Sequence, residues 1–171
     1  MIETKRLTLA PLSLEHTKDL FALWSNFNVI KYTRMPLLKT QEECREKINI
    51  FAGMNTRNKF ICNFAVLFRE KAVGICGFPP LGADENECGF YYQLAQEYWG
   101  KGFGYEAAGA LLKHIITETG AAVIFADSVS VNPASLAILS RLGFQETHRQ
   151  AGGFILNDTP LDVVHFKYKI K

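Results

Sequence analysis

The chain has 171 residues, a formal net charge of +2, 48% hydrophobic residues and 21% charged ones. That length suits a single domain, residues 1–171, whose core needs neither metal nor disulfide. The charge is too weak for nucleic acid, which calls for clustered Lys and Arg, and no apolar run approaches the ~20 residues of a membrane span.

The opening MIETKRLTLAPL lacks the apolar stretch of a signal peptide. The cysteines, Cys44, Cys62, Cys76 and Cys88, form no CxxC pair and have no His at metal-ligand spacing. Three of them lie in apolar, strand-like runs, which reads as buried thiols rather than a redox or metal site. These features predict a reduced, cytoplasmic setting and no metal.

Residues 3–11 alternate polar and apolar side chains like a first strand. Ser13 offers an N-cap, with His16 three residues on, to a helix that carries Leu20, Phe21, Leu23 and Trp24. Thr40 and Glu43 form a capping box that opens a second helix through about Met54. Between these helices, residues 26–39 (NFNVIKYTRMPLLK) are aromatic, basic and irregular. Residues 59–68 and 71–78 are apolar runs joined by Arg69-Glu70, a hairpin signal. A Pro-Pro-Leu-Gly break at 79–82 precedes a strand over 87–94 (ECGFYYQL). A helix over 105–118 follows, then a buried strand over 121–131. Asn132-Pro133 starts a short helix that Gly143 closes. Two strands, about 144–149 and 162–170, finish the chain, joined by GG and NDTP turns. This order predicts a mixed α/β sandwich with a hairpin-rich half and a crossover half.

Gly100, Gly102 and Gly104 stand at every second position where the strand over 87–94 gives way to a helix. Glycine lets backbone amides approach a ligand, and a helix start points free N–H groups and a partial positive charge outward. Together they suit a phosphate. The spacing GxGxG is neither a Walker loop nor a dinucleotide fingerprint. A Gly-rich turn without a ligand is the plainer alternative.

A second block, NPASLAILSRLGF over 132–144, narrows the choice. WGKGFGYEA followed by NPAS and LSRLGF resembles the GNAT superfamily of acetyl-CoA-dependent N-acetyltransferases, and its RimJ/RimL branch in particular. The resemblance implies an α/β (α+β) fold: a mixed, mostly antiparallel central sheet flanked by helices, splayed between the fourth and fifth strands. It implies acetyl-CoA in that split as co-substrate, and a fold that often dimerises. It places the pyrophosphate loop on Trp99, Gly100, Lys101, Gly102, Phe103 and Gly104, with Trp99 where the family usually has Gln or Arg. It also assigns the Leu94 backbone to the pantetheine arm and Asn132 to the pantetheine or thioester. Lys101 has two readings, a phosphate contact or a solvated loop tip.

Moving an acetyl group to an amine requires loss of a proton from the amine, a donor for the oxyanion and a proton for the departing thiolate. The tyrosine that often supplies the last is absent: its position holds Leu139. The resemblance offers Ser135 instead, although a serine there also suits local capping. Glu87 is the candidate base, with a surface or structural carboxylate as the alternative. Glu106, in the first turn of its helix, reads as structural. Tyr91 and Tyr92 alternate, so one of them should face the cleft. Residues 26–39 and 151–160, carrying Lys31, Arg34 and Asp158, are the expected acceptor walls. The expected function is direct acetyl transfer to a primary amine, a protein N-terminal α-amine first. A small amine (polyamine, amino acid or antibiotic) or a non-catalytic CoA sensor are the alternatives.

Overall fold

Residues 3–11 do not run as one strand. In the computed structural model, which describes residues 1–57, 60–81 and 86–170, the segment folds on itself: β1 (Ile2–Glu3) pairs antiparallel with β2 (Thr8–Pro11). Thr4 makes the bend, its backbone N–H donating to the Leu7 carbonyl at 2.9 Å and its hydroxyl oxygen accepting from the Leu7 N–H at 2.8 Å while donating to Glu106 at 2.7 Å. A side chain that satisfies backbone groups locally replaces a ladder partner.

Ser13 caps a 3₁₀ turn, Leu14–His16, that leads into the first α-helix. The Ser13 N–H donates to His16 Nδ1 at 3.1 Å just before α1 (Thr17–Trp24). Residues 26–39 are not wholly irregular, because Asn26 accepts from the Asn28 N–H at 3.0 Å and caps a single turn, α2 (Phe27–Ile30). Thr40 and Glu43 exchange their bonds at 3.2 and 3.3 Å as a capping box and open α3 (Gln41–Arg57).

β3 (Asn63–Phe68) and β4 (Lys71–Gly77) form the expected hairpin, turning through Arg69 and Glu70 at φ +50° and +67°. The expected start of the first run, Lys59, lies outside the described residues, as does Gly82 of the Pro-Pro-Leu-Gly break. Side chains alternate across these strands, except that Val73 is the extra residue of a bulge opposite Val66 and Leu67 and shifts the alternation by one. Phe64, Val66, Val73 and Cys76 enter one apolar cluster. Ala65, Ala72 and Ile75 enter another, with Trp24 of α1 and Ile48 of α3. The strands therefore sit between two helical layers.

The strand expected over 87–94 is two strands. β5 (Glu87–Gly89) pairs parallel with β7 (Val123–Val129), whereas β6 (Tyr91–Leu94) pairs antiparallel with β4. The chain changes sheet at Phe90. One sheet runs β1-β2-β3-β4-β6 and the other β5-β7-β9-β8, where β8 is Gln145–Leu156 and β9 Thr159–Lys169. This is the splayed mixed sheet of the expected fold class. Helix α4 (Phe103–Glu118) buries Ala107, Ala108, Leu111, Leu112 and Ile115 in the first cluster, and α5 (Pro133–Arg141) adds Leu139.

The last hairpin is longer than expected. Gly152-Gly153 is not a turn: it sits at a register shift within β8, and the chain reverses at Asn157 and Asp158, both at positive φ. Three residues, Ala151, Gly152 and Gly153, stand against one, Asp162, on β9 and make a bulge, which the GG dipeptide tolerates as readily as a turn.

Candidate active site

The splay leaves β6 without a strand on one side. Leu94 stands opposite Gly74, and the neighbouring Ala95 N–H bonds the Val73 carbonyl at 2.8 Å. In an antiparallel ladder that puts Leu94 and Tyr92 in non-hydrogen-bonded positions, with their N–H and C=O groups facing away from β4 and into the split. The Leu94 carbonyl accepts the Trp99 indole N–H at 2.8 Å. Trp99 thus ties the loop to the open edge, and the Leu94 N–H remains for a ligand.

The three glycines serve different needs. Gly100 and Gly102 have φ of +70° and +78°, which L side chains rarely adopt. Gly104 has ordinary φ, but a Cβ there would stand 3.1 Å from Ile138 Cδ1, so it lets α4 approach α5 closely. The loop is braced from the chain's start. Arg6 donates to Glu106 through its backbone N–H at 2.8 Å and its Nε at 2.6 Å, and to the Lys101 carbonyl at 2.9 Å. Burial would raise the Glu106 carboxyl, but hydrogen bonds from Thr4 and Arg6 outweigh it and hold the group below its ordinary value. Glu106 is structural, as its place in the first turn of α4 suggested.

A cavity of about 550 Å³ follows this edge, lined by Leu94, Trp99, Gly100, Gly102, Gly104, Asn132 and Ser135. Lys101 and Phe103 do not line it with them. The Lys101 ammonium folds back to the Glu97 carbonyl at 2.7 Å. Phe103 is buried against Phe68 and beneath the Arg6 guanidinium. Lys31 is the one charged residue lining this cavity, among the described residues. It was expected on the acceptor wall; the 26–39 segment instead spans both sides.

A second cavity, about 430 Å³, lies beyond β6 and is lined by Arg34, Met35, Phe51, Ile75, Tyr91, Asp127 and Phe154 among others. The two cavities share Tyr32, Thr33, Tyr92, Gln93, Asn132 and Ser135. At this junction the Tyr92 hydroxyl lies 3.3 Å from Ser135 Oγ and donates to the Ser135 carbonyl at 3.3 Å. Burial pushes the Tyr92 phenol up to about 12, against a smaller opposing effect of its bond to Ser135. The phenol therefore stays protonated at neutral pH. Asn132 Oδ1 accepts from the Ser135 N–H at 3.3 Å, so its side chain caps α5 and fixes Ser135.

Glu87 is not brought to this junction. It is exposed at the start of β5 and borders a separate small hollow with Phe60, Phe78 and Thr119. Asp158 sits at the tip of the last hairpin, outside the acceptor cavity's lining. The carboxylate that does line that cavity is Asp127, 3.8 Å from Arg34. Its signal in the sequence was slight: one acid in a buried strand. His114 packs between Phe64 and Phe78, and burial lowers its pKa.

Could these residues hold acetyl-CoA? The open edge offers backbone partners for an extended amide arm, and the glycines leave the start of α4 unobstructed for a pyrophosphate. An arm laid along this edge would reach the junction. Fold and site thus fit a two-substrate group transferase, with two cavities that meet at shared residues. The chain belongs to the GNAT acetyltransferases: that family's domain matches residues 6–145, and acetyl-CoA is the co-substrate. A curated relative, the uncharacterized N-acetyltransferase p20 of Bacillus licheniformis, is 28% identical over 84% of this chain and 81% of its own. Among solved structures, a RimL ribosomal L7/L12 alpha-N-protein acetyltransferase in complex with coenzyme A superposes with a TM-score of 0.87 at 18% identity, over 98% of this chain and 96% of that one. Spermidine N-acetyltransferase from Vibrio cholerae, with CoA and spermine, gives 0.84 at 20% identity, over 98% and 97%.

Proposed function

We propose that the enzyme transfers acetyl directly from acetyl-CoA to a primary amine in a ternary complex, and that the amine is the N-terminal α-amine of a polypeptide, as in the RimJ/RimL branch. The observation that carries direct transfer is the meeting of the two cavities at Tyr92, Gln93, Asn132 and Ser135. With both substrates bound there, the amine nitrogen forms its bond to the acetyl carbon as the carbon–sulfur bond breaks. No acyl-enzyme is required.

In this reading the Leu94 backbone pairs with the pantetheine arm, and the Tyr92 N–H, which also faces the split, meets the developing oxyanion. Ser135 Oγ donates to the departing sulfur, and the neutral Tyr92 phenol supports it. Asp127 receives the incoming ammonium, whose proton passes to water. Trp99, Gly100, Gly102, Gly104 and Asn132 form the cofactor channel, with Lys101 and Phe103 contributing backbone N–H groups at most. The working setting is the reducing cytoplasm.

A polyamine acceptor is disfavoured, because the acceptor cavity offers only Asp127 as a carboxylate among the described residues, and Arg34 already faces it. The test is CoA-thiol release from acetyl-CoA, with a no-acceptor control for the chain's own cysteines. Release with peptides, and not with spermidine or an aminoglycoside, supports the reading. Release only with spermidine or an aminoglycoside replaces the acceptor. Binding of acetyl-CoA with no release to any amine identifies a sensor instead.

A further inference from the structure

The acceptor cavity carries more information than its place in the reaction. Its walls include the rings of Phe51, Phe90, Tyr91 and Phe154, with Ile75 and Met35 between them. These rings are held in place. Phe51 stacks on Tyr91 at 6.2 Å and 28° and meets Trp24 on its other side. Phe90 lies 5.2 Å from Phe144.

The polar atoms in the walls are mostly engaged within the protein. Tyr91 donates its hydroxyl to Asn63 Oδ1 at 2.6 Å, and Asn63 Nδ2 donates to the Phe51 carbonyl at 2.9 Å. Gln93 Oε1 accepts the Trp24 indole N–H at 2.9 Å. The two charged residues of the lining, Arg34 and Asp127, face each other at 3.8 Å. The cavity is therefore nearly neutral and offers rings rather than hydrogen bonds. Its volume, about 430 Å³, falls within the ~300–1,000 Å³ of small-molecule pockets.

We infer that the acceptor is a primary monoamine whose carbon skeleton carries an aromatic or comparably large apolar group, which fills this cavity while the amine meets Tyr92 and Ser135. This rests on the reading of the cavity as the acceptor site. The same chemistry comes from two sources: a polypeptide beginning with a large apolar residue, or a free aralkylamine. A polar or multiply charged body is disfavoured because, beyond the mutually paired Arg34 and Asp127, the walls give it few partners to replace lost water.

Initial rates with saturating acetyl-CoA test this across five probes: a peptide beginning with Phe, the same peptide beginning with Ser, phenethylamine, propylamine and spermidine. The expected result is a kcat/KM at least tenfold higher for the Phe peptide or phenethylamine than for the others; which of the two leads identifies the source. Preference for the Ser peptide, propylamine or spermidine overturns the inference and leaves acetyl transfer standing. No transfer to any probe overturns both. A second measurement uses Phe154→Ala, which removes a half-buried wall from an otherwise mostly exposed strand. It should raise the KM for phenethylamine about tenfold and leave that for propylamine within twofold, with stabilisation by acetyl-CoA retained. Equal change for both amines, or for neither, also overturns the inference.

Discussion

The Tyr92 hydroxyl and Ser135 Oγ stand 3.3 Å apart across the split, one on β6 and the other in the first turn of α5. They join the two halves where the two cavities meet. Ser135→Ala should lower kcat by roughly 10- to 100-fold, the scale of a lost acid group, with acetyl-CoA affinity within twofold. Tyr92→Phe should do less, and the double variant should fall no further than Ser135→Ala alone. Stopped-flow rates with calorimetric binding check this; additive losses would mean the two hydroxyls act separately.

Alkaline stability follows from the same phenol. Its folded pKa is raised to about 12, above the ordinary value near 10. A raised pKa contributes stability that is fully present below the unfolded value and is lost as pH rises through the folded one. Tyr91 is also pushed up by burial and contributes in the same direction. Thermal melts between about pH 10 and 12 should therefore fall less steeply for Tyr92→Phe than for the parent protein, without becoming flat.

Glu106 gives the opposite sign. Its carboxyl is held below the ordinary value, so its contribution is present above the unfolded pKa and lost as pH falls through the folded one. Glu106→Gln should cost about 1–2 kcal/mol at neutral pH, a discounted figure because its partner Arg6 is 39% exposed. The cost should shrink on acidification below about pH 4, read by chemical denaturation at each pH.

The glycines should separate by phenotype. Gly102→Val forces a branched side chain to φ +78° and should weaken acetyl-CoA binding at least tenfold. Gly104→Ala meets only the flexible end of Ile138 at 3.1 Å and should be milder in both melting temperature and affinity. Equal affinities for the two variants would show that loop conformation does not set binding.

Glu87→Gln should leave kcat/KM within twofold, because Glu87 borders a hollow apart from the junction. Asp127→Asn should raise the KM for the amine several-fold with acetyl-CoA binding unchanged. A pH–rate profile of both variants, set against the parent, tests whether either carboxylate takes the amine's proton.

Local signals were the most legible part of the sequence. The Thr40–Glu43 capping box, the Arg69-Glu70 hairpin and the Gly143 helix end depend on residues a few positions apart, and the structure has all three. The glycine loop and the NPAS block also came to one cavity, although they open different helices, because Gly104 lets α4 pack closely against Ile138 of α5. The change of sheet at Phe90 was hidden: ECGFYYQL alternates without a break, and alternation does not say which neighbour a strand pairs with. Asp127 was hidden for a related reason. Its place on a face is local, but that the face borders a cavity depends on residues some ninety positions earlier, around Arg34. Lys31 was placed on the wrong side because one loop lines both cavities.

The change of sheet at Phe90 also bears on how the product leaves. Because β5 and β6 are one uninterrupted backbone, the two halves of the wedge are joined at its apex through Phe90, and the Gly89 N–H ties them again beside it by donating to the Pro79 carbonyl at 2.8 Å. Phe90 is gripped by Phe144 at 5.2 Å and Tyr92 at 6.0 Å, so the apex is a fixed corner rather than a hinge. With the apex closed, the expected route for spent CoA is the open flank beside the glycine loop.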